Sequence, residues 1–570
     1  MQTSPIYEIH GDRFITGEPT TNVPFPDAPE RVTVFHLKDT GHFVNKTWVD
    51  RILGEYEQDN VFRDSFLQGV IIVGNQSGSL DITVRARNAL EARGAAWIKA
   101  AKRKKNSNFT LASGSHLVSN GILAPVLKLY DDTHGAFLHS LRRGPEDKFV
   151  ETGYAGCHTL RTLSIAVPSR AGVAPTSDLS LHGYRIAVKD IFELENVRTS
   201  VCNRAYYELY DPPTKTAACI EVLVKAGAAI VGTTKLASFA ATEEPVECID
   251  YAAPWNPRAD GYQSPAGSSS GSGAAMAAYE WLDITNGSDT SGSGRRPGHW
   301  NGCIAMRPTH GLLPDAGYIP SFKEMGKCRY FADSCYGKVF NPPQRTLDLI
   351  DEFVNDLESS LGVTHEKVSF NELWNSTTPE AAKGLSLQEF MRDASRNSFF
   401  HDDYHSFDKF RADYFAKFGK QPYVSPPVRW QWDLSSKITT EERNEAVKRL
   451  KVYRKWFTEH VLQEGKRDTI VLIPIEEISP RYRDEPPSKH FNPVGVPMLF
   501  ISPILGAPEL TVPIGHSPFI SKVSRNEEKL PIAISLLGSP GRDLELFDIV
   551  IECLRKSGRP MAVKSGKEMF

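Results

Sequence analysis

The rhythm of apolar positions changes near residue 180. Before it the runs are short: Arg31–Leu37 and Gln68–Val73 have the β-branched, apolar makeup of strands. Val84–Ala101 reads as one helix, and Ile122–Tyr130 with Ala136–Leu141 reads as a hairpin closed by Asp131-Asp-Thr-His-Gly135. Beyond residue 180, Tyr184–Val188, Thr216–Ala228 and Ala229–Thr233 alternate strand, helix, strand, as parallel sheet strands with a crossover helix do. Thr439-Thr-Glu-Glu442 has capping-box spacing, and Ala446, Leu450, Tyr453, Phe457 and Val461 continue from it at helical intervals towards Gly465. That helix is read as structural packing. The stretch Glu146–Asp178, rich in Gly, Pro, Ser and Thr, separates the two regimes. The expected organisation is a smaller α+β N-terminal domain over residues 1–165 and an α/β domain over 166–570.

Composition narrows the classes. Over 570 residues, 66 Lys and Arg face 69 Asp and Glu, a formal charge of −3, which excludes a broadly basic nucleic-acid surface. The start, Met1–His10, lacks a basic and apolar leader, and no run of about 18 apolar residues occurs, so no membrane partner and a cytoplasmic location are expected. The 8 cysteines form no CxxC pair, which suits reduced thiols. Lys102-Arg-Lys-Lys105 reads as a solvated helix end rather than an import or phosphate patch. His401 and His405 have the i, i+4 spacing of a helical metal site, but the glutamate of HExxH and a third ligand are missing, so no metal is expected.

Two Gly/Ser-rich segments carry the candidate chemistry: Ser264–Gly273 and Gly287–Pro297. As linkers they would join loosely coupled units. Instead, the first runs into the helix-competent Ala274–Leu282 and the second into the apolar Cys303–Thr309. A Gly/Ser loop feeding a helix presents backbone N–H groups and hydroxyls to a ligand oxygen, as phosphate cradles and oxyanion holes both require. The lysine of a GxxxxGK[ST] phosphate loop is lacking.

The order Val188-Lys189-Asp190, Pro265-Ala-Gly-Ser-Ser-Ser-Gly271, Gly287-Ser-Asp-Thr-Ser-Gly-Ser-Gly-Arg-Arg-Pro297 and Cys303–Thr309 closely resembles the amidase signature family. Ala253-Pro-Trp-Asn-Pro257, Leu505–Gly515 and Leu537–Asp543 extend the resemblance over about residues 175–560. It implies a core with a central mixed β-sheet covered by helices, and hydrolysis of a carboxylic amide, or an ester, through an acyl-enzyme. Matching the motifs places the nucleophile at Ser293, a serine in a cis peptide that relays protons at Ser269, and the base at Lys189. The backbone N–H groups of Thr290, Ser291, Gly292 and Ser293 would form the oxyanion hole. Ser268, Ser270, Asp289 and Arg295 would support the loops, the last two as an ion pair. The chemistry is coherent: a serine hydroxyl needs a base, and a buried lysine becomes one when desolvation keeps it neutral. No cofactor and no metal are implied.

The sequence departs from the family at Ser268, Ser272-Gly273, Ser291 and Gly294, and again over Ser321–Tyr330, where family members often shape the acyl pocket. The near-zero net charge points to a small neutral or aromatic amide as substrate. The first 165 residues are read as a dimerisation or gating module, giving a homodimer in the first case. A glutamine-dependent amidotransferase subunit is one alternative, disfavoured by that extension; a non-catalytic binding or assembly protein is another, disfavoured by Lys189, Ser269 and Ser293. The 13 aromatics between Trp374 and Trp432 read mainly as helix packing, with a few left to line an apolar pocket.

Overall fold

The computed structural model describes residues 5–19, 27–37, 43–74, 80–102, 111–119, 122–156, 162–173, 176, 178–319, 344–476 and 478–570. The basic run beyond Lys102 and the divergent segment Ser321–Tyr330 lie outside them.

The first sheet runs in the order Tyr7–Ile9, Asp12–Thr16, Ile122–Asp131, Gly114–Ser119, Arg31–His36, Gly69–Gly74, Trp97–Lys102. Ser164–Pro168 also pairs with Ile122–Asp131. Arg31–His36, Gly69–Gly74 and Trp97–Lys102 are parallel, joined through the helices Lys46–Glu57 and Val84–Glu91. Every residue of Gly69–Gly74 is buried, as expected of a parallel strand covered on both faces. The single helix expected over Val84–Ala101 is therefore corrected. It stops at Glu91, Gly94 takes the left-handed conformation (φ 101°), and the β-favouring Trp97 and Ile98 open a strand.

The hairpin expected around Asp131–Gly135 is also corrected. Ile122–Asp131 pairs within the first sheet, whereas Phe137–Arg143 pairs antiparallel with Ala229–Thr234 in the second. The turn between them is held by Asp132, whose carboxylate accepts the N–H groups of Ala136 and Phe137, both at 2.9 Å, and the Tyr279 hydroxyl at 2.6 Å. The chain before residue 165 thus supplies strands to both sheets.

The second sheet is mixed, in the order Phe149–Glu151, Phe137–Arg143, Ala229–Thr234, Arg185–Lys189, Ile284–Asn286, with the last three parallel. A third, antiparallel sheet contains Ala305–Arg307, Glu509–Ile520, Glu527–Leu537 and Val471–Pro474. The helix Ser270–Ala278 packs on the central strands of the second sheet, and the helix Arg295–Trp300 packs on the third. Because the two helices touch each other, the Gly/Ser loops at their N-terminal ends meet where the sheets adjoin.

Helices dominate residues 344–462. Thr440–Phe457 starts at its Thr439/Glu442 capping box. Of the aromatic stretch, Trp374, Phe390, Phe399, Phe400, Phe407, Phe410, Tyr414 and Trp432 are buried in the core, while Phe415, Phe418 and Tyr423 are exposed. Among the described residues, no helix is long and apolar enough to cross a membrane.

Candidate active site

Lys189 is the last residue of the strand Arg185–Lys189, in which all five residues are buried. The three parallel strands direct their carboxyl ends at one crevice, where ligands gather in open α/β sheets. Lys189 arrives from the first, and Ser288 follows the end of Ile284–Asn286. The Lys189 Nζ donates to three serine hydroxyls: Ser268 Oγ at 2.8 Å, Ser269 Oγ at 2.9 Å and Ser288 Oγ at 2.7 Å. Burial pushes the lysine down to about 7, against the opposing pull of Asp289 and Cys202.

These bonds distinguish the three serines. Ser269 Oγ accepts from Lys189 and from Ser288 N–H at 3.2 Å, and donates its own proton to Ser288 O at 3.1 Å. Ser268 Oγ has no partner besides Lys189 among the described residues. When Nζ is neutral it keeps two protons and a lone pair, so one hydroxyl must donate to it. Ser269 is committed elsewhere, which leaves Ser268 and Ser288. The placement of the cis serine also differs from expectation by one residue: the cis peptide joins Gly267 and Ser268, so Ser268, not Ser269, follows it. Three consecutive serines left the motif's register open. Tertiary bonds fix it: Ala237 N–H donates to Ser268 O at 3.0 Å, and Ser269 N–H donates to Ser293 O at 2.8 Å. Ser270 opens the helix Ser270–Ala278, buried, with no side-chain partner among the described residues.

Ser293 is half-buried, unlike Lys189, Ser268 and Ser269, so it is the member of the set that meets solvent. Its loop is organised by Asp289. That carboxylate accepts Gly292 N–H at 2.9 Å, Gly294 N–H at 3.1 Å and Arg295 N–H at 3.2 Å, and is gripped by the guanidinium of Arg295 through Nη2 at 2.9 Å and Nε at 3.1 Å. Gly292 has φ 113°, a conformation that favours glycine. Its N–H therefore points into the loop, contrary to the expected oxyanion role. The N–H groups of Ser291 and Ser293 have no acceptor among the described residues. Thr290 is buried on the same loop.

Arg295 also donates through Nη1 to Glu509 Oε2 and through Nη2 to Leu499 O, both at 2.9 Å, and all three charged side chains are fully buried. Removing the guanidinium strands two buried carboxylates. Arg295→Met is expected to cost about 3–5 kcal/mol of stability, read from urea unfolding, and an unchanged midpoint would dismiss the network's structural role. Sequence reading missed Ser288 and Glu509. Glu509 had one signal, an acid inside the apolar run Ala507–Ile514. His401 and His405 share the helix Ala394–Ser406, but their Nδ1 atoms contact Asp402 at 2.9 Å and Asp408 at 2.7 Å, and no metal-holding group of three is found among the described residues.

The mixed α/β core thus gathers a serine–lysine cluster at the carboxyl ends of its strands, groups of the kind nucleophilic catalysis uses. Residues 161–334 match the family model described as Amidase, so this region of the chain is similar to that family. Relatives include Amidase 1 of Oryza sativa subsp. japonica, 37% identical over 146 residues, covering 26% of this chain and 33% of the relative. A Glutamyl-tRNA(Gln) amidotransferase subunit of Natronomonas pharaonis is 38% identical over 157 residues, covering 27% and 36%. The chain thus spans about a third of the length of these curated relatives. The crystal structure of the K. lactis urea amidolyase superposes with a TM-score of 0.54 at 18% identity, covering 68% of this chain and 24% of that one, a likeness of fold.

Proposed function

We propose that the chain hydrolyses carboxylic amides through an acyl-enzyme on Ser293, with Lys189 as base and Ser268 as relay. The observation that carries this reading is the buried Lys189 Nζ bonded to Ser268, Ser269 and Ser288 at 2.7 to 2.9 Å. Attack by Ser293 Oγ on the amide carbon sends its proton to Ser268 Oγ as the Ser268 proton moves to Lys189 Nζ. The oxyanion is received by the N–H groups of Ser291 and Ser293. Collapse breaks the carbon–nitrogen bond, and the proton returns through Ser268 to the departing amine. Water then repeats the sequence on the ester. Ser269 and Ser288 hold the lysine in place, and no step calls for a cofactor.

The test is covalent labelling with a fluorophosphonate. Mass spectrometry should find the label on Ser293, and Ser268→Ala should slow labelling by about 10²–10⁴, the usual range for lost proton transfer, with a smaller loss for Ser269→Ala. Label on another residue overturns the reading, and equal losses in the two variants remove the relay role from Ser268.

A further inference from the structure

The two serines that exchange a proton in the reading above stand on separate supports. Ser293 leads into the helix Arg295–Trp300, which packs on the third sheet, and Ser268 leads into the helix Ser270–Ala278, which packs on the second. Ser268 Oγ is bonded to Lys189 alone among the described residues, so its reach to Ser293 depends on how the two supports are set against each other.

Four charged side chains span these supports: Arg296, Glu476, Arg481 and Glu244. Glu476 follows the strand Val471–Pro474 of the third sheet and accepts from the nucleophile's side, Arg296 Nε and Nη2 at 3.0 Å each and Trp300 Nε1 at 2.8 Å. Arg296 in turn donates its N–H to Gly292 O at 3.1 Å, beside Ser293. Glu244 belongs to the relay's side. It follows the strand Ala229–Thr234 on the segment whose Ala237 holds Ser268, and its Oε2 accepts Ser264 Oγ at 2.9 Å. Ser264 Oγ accepts Ala266 N–H at 3.1 Å, and Ala266 is left-handed (φ 57°), a conformation that disfavours a residue with a Cβ and so needs holding.

Arg481 joins the halves. Its Nη1 donates to Glu476 Oε1 at 2.7 Å and its Nη2 to Glu244 Oε1, with the guanidinium 5.5 Å from the centre of the Trp300 ring. Its backbone is fixed as well: Arg481 N–H donates to Gln263 Oε1 at 2.8 Å, and Ser264 N–H donates to Arg481 O at 2.7 Å. Arg296 repeats the span more weakly, with Nη2 at 3.5 Å from Glu244 Oε1. Burial pushes the Glu476 carboxyl up, but Arg296 and Arg481 outweigh it and hold the group well below the usual carboxylate range. A planar fork that satisfies two carboxylates at once fixes angle as well as distance.

We infer that Arg481 is a positioning residue for the hydrolysis: by bridging Glu476 and Glu244 it sets the nucleophile's helix against the relay loop, and with them Ser293 Oγ against Ser268 Oγ. This rests on the amide-hydrolase reading above. Arg481 acts through Arg296 and Ser264, since none of its bonds among the described residues goes to Lys189, Ser268 or Ser293. Unlike the fully buried Arg295, its side chain is 27% exposed, so its loss registers in rate before stability.

The test is Arg481→Gln, read by fluorophosphonate titration and by kinetics on an aryl amide. The fraction of molecules labelled at Ser293 should match the wild type. The labelling rate and kcat, counted per labelled site, should fall about 10- to 100-fold, the loss that a misplacement of about 1 Å produces, with KM within about twofold of the wild type. A role confined to stability does the reverse: it lowers the fraction labelled and leaves the rate per site alone. Ser264→Ala, which cuts the relay end of the same bridge, gives a second reading should Arg481→Gln fail to fold. It should slow the same steps, and the double variant should be no slower than the slower single, because both changes lie on one path. Losses that multiply, or a wild-type rate per site in either single variant, overturn the inference, and label on Ser293 then leaves the hydrolase reading standing. A wild-type protein that takes no label at Ser293 overturns the hydrolase reading and this inference together.

Discussion

Ser293→Ala is expected to lower kcat on an aryl amide by about 10⁶, the scale seen when a serine hydrolase loses its nucleophile. The size follows from what remains. The loop keeps its Asp289–Arg295 pair and the N–H groups of Ser291 and Ser293, so the variant still polarises a carbonyl, but no atom is left to form the acyl bond. Since Ser293 is half-buried and its backbone carbonyl, not its hydroxyl, accepts Ser269 N–H, the melting temperature should hardly move. Steady-state kinetics on protein of verified fold decides the matter: more than about a hundredth of wild-type activity would show that another group carries the chemistry.

The second large effect concerns Lys189. In the wild type, kcat/KM should rise with pH through about 7, where burial has placed the lysine. The sign follows from the proton: below that point Nζ is an ammonium with nothing to accept a proton, and above it the lone pair is available. Lys189→Met fills similar space without the base, and should cost about 10²–10⁴ in kcat/KM and erase the rise. An identical inflection in the variant, or a flat wild-type profile, would assign the proton transfer elsewhere.

Much of the site could be read from the chain because its parts are local motifs. Lys189 ends a contiguous apolar strand, and Asp289 and Arg295 lie six residues apart on one loop, so spacing alone brings them together. Register was less legible. Ser268, Ser269 and Ser270 are chemically identical neighbours, and only the bonds between the Ser269 hydroxyl and the backbone of Ser288 leave Ser268 as the one whose proton is available to Lys189. Glu509 is 214 residues from Arg295, a distance no periodicity spans. The fold failed to be legible for the same reason. The segment before Phe137 looks like half a hairpin because its neighbour in sequence is a strand, yet the Asp132 turn sends that strand to Ala229–Thr234, almost a hundred residues on.

That crossing also bears on the order in which the molecule is made. Synthesis releases the chain from its N-terminus, so Phe137–Arg143 and Phe149–Glu151 leave the ribosome before the parallel strands they border. Ala229–Thr234, the partner of Phe137–Arg143, follows only after the Lys189 strand, and until it does one side of the early strand is an unpaired edge. The catalytic sheet is therefore closed late around a border laid down first. A shortened gene that begins at the signature region would produce the reacting residues without the border strands of the sheet that carries them.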